Sequence, residues 1–227
     1  MADVPKGLKP RQNPLFEPTA AVKIVDLQEL TSPTRHRSRV RQHKRELVRV
    51  FGRAKAAEFI EFLDPGWEIY GFTRGQFYML ELLRAISDKT GPAELVISTW
   101  TTAKDDILGL AEMRNEGRFT AVRWLLDASF QRREPEMAAM VREHFTIEAV
   151  RIAQVHSKFA LIRGGGWRVV VRTSMNFNMN PRFEDVTVGD DPELYRFIAA
   201  IIDEIWTRLK PRDYATPGAI KRDLAGM

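Results

Sequence analysis

The sequence predicts an α/β protein, a layered sheet flanked by helices, preceded by a basic helical extension. Three observations carry this. From residue 67 onward, short apolar strand-like runs alternate with stretches of helical period, the pattern of layered α/β domains. Gly164-Gly165-Gly166 separates two apolar runs as a hairpin turn would. The last element is announced by Asp191-Pro192 and a long apolar stripe. These divide the chain into an arm over 1–33, a basic helical segment over 34–66, an α/β domain over 67–210 and a tail over 211–227.

The arm holds Pro5, Pro10, Pro14, Pro18 and Pro33 among polar residues, which favours extended backbone, with a short strand expected at 21–25. Val40, Leu47, Phe51 and Ala54 fall at helical spacing, followed by Phe59, Ile60 and Leu63. A helix is therefore expected over 34–63, broken at Gly52 and closed by Asp64-Pro65-Gly66. Thr73-Arg74-Gly75-Gln76 has the capping-box pattern, so a helix bearing Phe77, Leu80, Leu83 and Ile86 should open there and close at Gly91-Pro92. A strand over 95–100 comes next, and then a helix over 103–113. A second pair follows, a strand over 119–126 and a helix over 134–144 with Pro135 in its first turn. Strands over 150–162, interrupted, and over 167–172 flank the glycine turn. Asp191 caps the final helix, Pro192 takes its first position, and Leu194, Ile198, Ile201, Ile205 and Leu209 form its apolar face.

The 227 residues are 44% hydrophobic and 29% charged, ample for a core, and mean hydropathy is -0.30. No apolar run approaches the roughly 18 residues a membrane helix needs, and the N-terminus shows no apolar signal region, so a cytoplasmic protein without membrane contact is expected. Zero cysteines exclude disulfides, thiolate metal sites and a catalytic thiol. Asp105-Asp106 lacks companion ligands and suits a helix N-terminus, so no metal and no cofactor are expected. Trp100 and Trp124 read as core or pocket-wall residues.

Charge is unevenly spread. The chain carries a net +5, yet Arg35, Arg37, Arg39, Arg41, Lys44, Arg45, Arg49, Arg53 and Lys55 stand against Glu46 alone. That segment is a net +8, which leaves -3 for the remainder. A concentrated basic element on a near-neutral body points to a polyanionic partner, nucleic acid, with Arg35, Arg37, Arg39, Arg41, Lys44, Arg45, Arg49 and Arg53 as contacts.

One further region stands apart. His156 and Lys158, in an extended strand, would point to one face, and so would Ser174 and Asn176. If the glycine turn makes the two strands antiparallel neighbours, imidazole, ammonium, hydroxyl and carboxamide gather at one end of the sheet. That is a set suited to holding phosphate, with a nucleophile in it. Glu184 follows downstream.

His156-x-Lys158, with Arg163 after four intervening residues, and Thr173-Ser174-x-Asn176 resemble the H-x-K-x4-D and G-S-x-N signature of the phospholipase D superfamily. Arg163 stands where the family has aspartate, and Thr173 where it has glycine. The resemblance covers about residues 67–210 and implies a phospholipase D-like α/β fold. It also implies metal-independent phosphodiester cleavage in two steps. His156 would attack phosphorus, Lys158 and Asn176 would hold the non-bridging oxygens with help from Ser174, and Glu184 would fix the imidazole tautomer. The family takes its general acid from a second motif copy. Here His36, His43 and His144 are followed two residues on by Ser38, Arg45 and Thr146, so a homodimer pairing two His156 side chains is implied. A nuclease, with DNA ahead of RNA as substrate, is the leading reading. A non-catalytic nucleic-acid-binding or assembly protein is the second, and a lipid phosphodiesterase the third.

Overall fold

The computed structural model describes residues 44–49, 55–179, 181–209 and 211. Its centre is one eight-stranded sheet in the order β1-β2-β8-β7-β6-β3-β4-β5. The strands are β1 (Lys44–Arg49), β2 (Trp67–Thr73), β3 (Ala93–Thr99), β4 (Phe119–Asp127), β5 (Val150–Ala153), β6 (Phe159–Gly164), β7 (Trp167–Thr173) and β8 (Glu184–Asp190). Helices α1 (Ala56–Phe59), α2 (Met79–Thr90), α3 (Lys104–Asn115), α4 (Phe130–Arg133), α5 (Pro135–Phe145) and α6 (Pro192–Arg208) complete it.

Strand alternation sorts the core into two layers. Val169 and Val171 of β7 pack with Leu82 of α2, Ile107 of α3 and Val141 of α5 on one face. Val170, between them, packs with Ile202 and Ile205 of α6 on the other. The β3-β4-β5 portion is parallel, and the β2-β8-β7-β6-β3 portion is antiparallel. The runs in the centre are apolar on both sides, as in Leu95-Val96-Ile97 and Val169-Val170-Val171, because both faces are covered there.

The glycine run is the hairpin it was expected to be. β6 and β7 pair antiparallel from Phe159↔Arg172 to Gly164↔Trp167. Gly165 and Gly166 take φ of +53° and +87°, which only glycine adopts cheaply. Gly164 is fixed differently: a Cβ there would lie 2.3 Å from the Pro92 carbonyl oxygen. The final helix also matches, with the Asp191 carboxylate accepting from the backbone N–H of Glu193 at 3.0 Å and Leu194 at 2.9 Å.

Two expectations are corrected. The basic segment is not a helix throughout: Lys44–Arg49 is a strand, parallel to β2 on the sheet edge, and among its described residues the helix is Ala56–Phe59. Lys44-Arg45-Glu46-Leu47-Val48-Arg49 has the charges and the β-branched valine that suit an edge, where charge deters pairing with other chains. Thr73 ends β2 and does not cap a helix. Its hydroxyl and the Gln76 side chain bond each other across the turn, and α2 begins only at Met79, where Glu81 accepts from the Tyr78 N–H at 2.9 Å. β2 and β8, unrecognised in the sequence, sit beside each other and bring Glu184 to the site. The strand expected at 21–25 and Arg35, Arg37, Arg39, Arg41 and Arg53 lie outside the described residues.

Candidate active site

The candidate residues meet where β6 begins and β7 ends. β6 runs away from this end and β7 returns to it, so the hairpin puts Lys158 beside Thr173, whose N–H donates to the Lys158 carbonyl at 3.2 Å. β8 starts here too, and the Ser174 N–H reaches the Asp185 carbonyl at 3.2 Å. His156 and Lys158 are not on a strand. They lie in the segment between β5 and β6, where the 150–162 run is interrupted, and not on the strand that would put both on one face. That segment is braced. Asp127, at the end of β4, accepts from the Val155 N–H at 3.2 Å, and the Ser98 hydroxyl donates to the Ser157 carbonyl at 3.0 Å.

His156 is exposed, and Lys158 is half-buried beside it. Lys158 Nζ lies 3.1 Å from Nδ1 and 3.1 Å from Nε2, and donates to the His156 carbonyl at 2.8 Å. Equal distances place the ammonium over the ring and not on the lone-pair axis of either nitrogen, so both nitrogens keep an in-plane direction for another partner. Burial pushes the Lys158 ammonium below the ordinary lysine range, and the negative charge of Glu184 opposes that shift. Trp100 stands edge-on to His156, with ring centroids 6.0 Å apart, and the Arg133 guanidinium caps the indole at 3.6 Å. Trp100 is thus a wall of the site, while Trp124 is fully buried core.

The Ser174 hydroxyl donates to the Glu184 carboxylate and accepts from the Asp185 N–H at 3.1 Å. The resemblance implied that Glu184 would meet the His156 imidazole. Its carboxylate is engaged by Ser174, and among the described residues none places a carboxylate on His156. Burial of Glu184 at the start of β8, two strands from the His156 segment, directs it to the serine. Asn176 is half-buried, and its amide oxygen is buried without a hydrogen-bond partner among the described residues. Its segment is pinned to the end of β3, because the Phe177 N–H donates to the Thr99 hydroxyl at 3.0 Å.

The two departures from the motif have visible consequences. The Thr173 hydroxyl donates to the Asp185 carbonyl at 2.7 Å and accepts from the Met175 N–H at 3.0 Å, so the extra side chain braces the loop that carries Ser174 and Asn176. Arg163 lies at the far end of β6, paired with Glu94 across β3, and takes no part in the site.

A cavity of about 790 Å³ opens from Ser157, Lys158 and Ser174 over the face of β7, β8, β2 and β1, reaching Arg172, Tyr70 and Arg45, with Ile198 of α6 as its side wall. Sequence reasoning assigned Arg45 to a basic helix remote from the motif; the structure makes it a wall of the same cavity. Arg172 and Tyr70 were missed, although Arg172 stands two residues before Ser174 and so shares its face. Lys44 is exposed, and Arg49 holds the register position opposite Phe72. No group of acidic or histidine side chains with metal-binding geometry occurs among the described residues, and no helix among them is long and apolar enough to cross a membrane.

Fold and site together define a layered α/β protein with an imidazole, an ammonium and a carboxylate-bound hydroxyl clustered at its strand ends. No family model matches the chain, and no curated protein matches it. Among solved structures it is similar to Nuc from Salmonella typhimurium, a phospholipase D family member. The identity is 16% and the TM-score 0.46, covering 64% of this chain and 97% of that one. It is also similar to polyphosphate kinase from Porphyromonas gingivalis, at 18% identity and a TM-score of 0.39, covering 63% of this chain and 25% of that one. Likenesses of this degree leave the chemistry to be argued from the residues of this chain.

Proposed function

We propose that the protein is a phospholipase D-like phosphodiesterase that cleaves nucleic acid through a phosphohistidine, without a metal, in a homodimer. The observation that carries this reading is the Lys158 ammonium at 3.1 Å from both nitrogens of an exposed His156, beside the Ser174 hydroxyl at the adjoining strand end. One imidazole nitrogen attacks phosphorus and the bond from phosphorus to the leaving oxygen breaks, that oxygen taking a proton from His156 of a second copy. Water then attacks phosphorus, the P–N bond breaks, and the water proton returns to the second imidazole. Lys158, with the Asn176 amide and the Ser174 hydroxyl, stabilises the negative charge gathering on the non-bridging oxygens.

The second copy is required because this chain carries one such histidine. His144 sits at the end of α5, its carbonyl held at 2.6 Å by Arg114 at the end of α3, and α3 starts at the site end and runs away from it. In the cavity Lys158, Arg172 and Arg45 outnumber Glu68 and Asp185, and the net positive charge favours a polyanionic substrate.

Purified protein incubated with DNA and RNA in excess EDTA should cleave one or both, and His156→Ala should abolish cleavage. Activity that EDTA removes, or that survives His156→Ala, would refute the mechanism. Sedimentation should report a dimer in the active preparation.

One observation favours a second reading, a non-catalytic module that grips nucleic-acid phosphate. Glu184 is committed to Ser174, which leaves His156 without the orienting carboxylate that raises imidazole basicity. Salt-sensitive binding with no cleavage under any condition would select this reading.

A further inference from the structure

Helix α6 covers the β7-β6-β3 side of its face of the sheet, and among the described residues no helix covers the β8-β2-β1 side. Register fixes what that open side presents. Arg172, Thr187, Tyr70 and Leu47 form one row across β7, β8, β2 and β1, and Asp185 and Phe72 form the next, nearer the site. Phe183, two residues before Asp185, continues the face at the site end and is 61% exposed. Its ring stacks on Phe72 with centroids 5.0 Å apart and planes 12° apart, and Phe72 meets Tyr70 edge-on at 5.3 Å. Three aromatic rings in sequence therefore lead from the site end toward the middle of the open face.

Phe183 is exposed while Tyr70 and Phe72 are half-buried, and an exposed ring on an open sheet is costly in water unless something stacks on it; around the rings Arg45, Arg172 and Lys158 outnumber Glu68 and Asp185. Arg45 and Arg172 flank the rings and share the single carboxylate of Glu68, leaving guanidinium donors over for a further anion. Lys158 closes the track where the cavity meets the site. Ring faces spaced along a groove beside guanidinium groups suit a strand whose bases are unpaired and whose phosphates run alongside. They do not suit a duplex, whose bases are stacked inward.

Building on the phosphodiester reading above, we propose that this face is a track for single-stranded nucleic acid. Phe183 and Tyr70 stack bases, with Phe72 backing the Phe183 ring, while Arg172 and Arg45 hold the backbone that delivers a phosphate to Lys158 and His156.

The test is equilibrium binding, by fluorescence anisotropy, of a labelled single strand of about 12 nucleotides and of its duplex. The protein is the full chain carrying His156→Ala, so that cleavage plays no part in the readout. The single strand should bind at least about ten-fold more tightly than the duplex. Phe183→Ala and Tyr70→Ala should each weaken it about five-fold or more without changing the salt dependence. Arg172→Ala should weaken it and flatten that dependence. Phe183 is exposed, so its variant should fold, and circular dichroism checks this for Tyr70. Equal affinity for strand and duplex, or unchanged binding by both aromatic variants, would overturn the track. So would a dimer that buries this face, revealed if Leu47→Asp yields monomers that bind as before. Failure of the phosphodiester reading looks different: tight, ring-dependent binding by the unmutated protein with no cleavage of either nucleic acid.

Discussion

Replacing Asp106 by asparagine should stabilise the protein above neutral pH, with an advantage that shrinks through mild acid and vanishes below about pH 4. Asp106 sits in the first turn of α3, 8% exposed, and its carboxyl is pushed up from 3.8 to about 6. Burial is the largest cause, reinforced by the neighbouring charges of Asp105 and Glu81 and opposed by backbone hydrogen bonds from its own N–H and that of Met179. A carboxyl whose folded pKa lies above its unfolded value contributes stability that is fully present below the unfolded pKa and lost as pH rises through the folded one. A rise of about two units corresponds to about 3 kcal/mol lost between roughly pH 4 and pH 6.5. Asparagine keeps the acceptor oxygen and the shape but carries no charge. Urea unfolding of both proteins, at steps from about pH 4.5 to pH 8, isolates this group, because every other titration cancels in the difference. The variant should gain on the wild type as pH rises, reaching an advantage of about 2–3 kcal/mol by pH 8. A difference that stays flat with pH, or a variant less stable at pH 8, would refute the reasoning. The Met179 contact places Asp106 beneath the loop that follows Asn176, so the variant also reports how firmly that loop is held.

Other expectations are more local. Thr146 closes α5 at φ +65° and ψ +160°, a conformation that L side chains rarely adopt, so Thr146→Gly should raise unfolding stability by about 1 kcal/mol in denaturant titration. Arg163→Ala should lower stability by less than about 1 kcal/mol and leave cleavage rates within about two-fold, because its ion pair with Glu94 is exposed and lies at the far end of β6. Oligonucleotide binding should weaken at alkaline pH, below the range in which an ordinary lysine loses its charge, because burial depresses Lys158. Lys158→Arg should move that alkaline limb upward even if affinity falls. A limb unchanged by the arginine would assign it to another group.

The sequence disclosed elements where local signals and tertiary packing agree. Asp191, Pro192 and an apolar stripe from Leu194 to Leu209 describe α6 because cap, first turn and buried face all point the same way. The Gly164–Gly166 hairpin was legible for the same reason, and with it the meeting of Lys158 and Ser174. β1 was not, since Leu47, Phe51 and Ala54 fall at helical spacing while the strand is made by pairing with β2, a partner about 20 residues away that periodicity does not record. Gly71 and Gly189, strand-weakening residues, obscured β2 and β8. The partner of Glu184 was unreadable in a different sense. Which of two nearby groups a carboxylate takes depends on the order β8-β7-β6, and the order of strands is a property of the assembled sheet. The basic surplus was visible from the start, but its division between a cavity wall at Arg45 and an exposed Lys44 came only with the edge strand.

The nucleophile is the centre of the account, and trapping it is the most direct measurement. Wild-type protein, turning over oligonucleotide in EDTA and quenched rapidly under alkaline conditions, should yield a peptide carrying phosphate or nucleotide on His156 by mass spectrometry. The adduct should be stable to alkali, lost in acid, and absent from His156→Ala. A preparation that cleaves at full rate while His156 stays unmodified at every quench time, and whose His156→Ala variant cleaves equally well, would contradict the assignment of His156 as the attacking group.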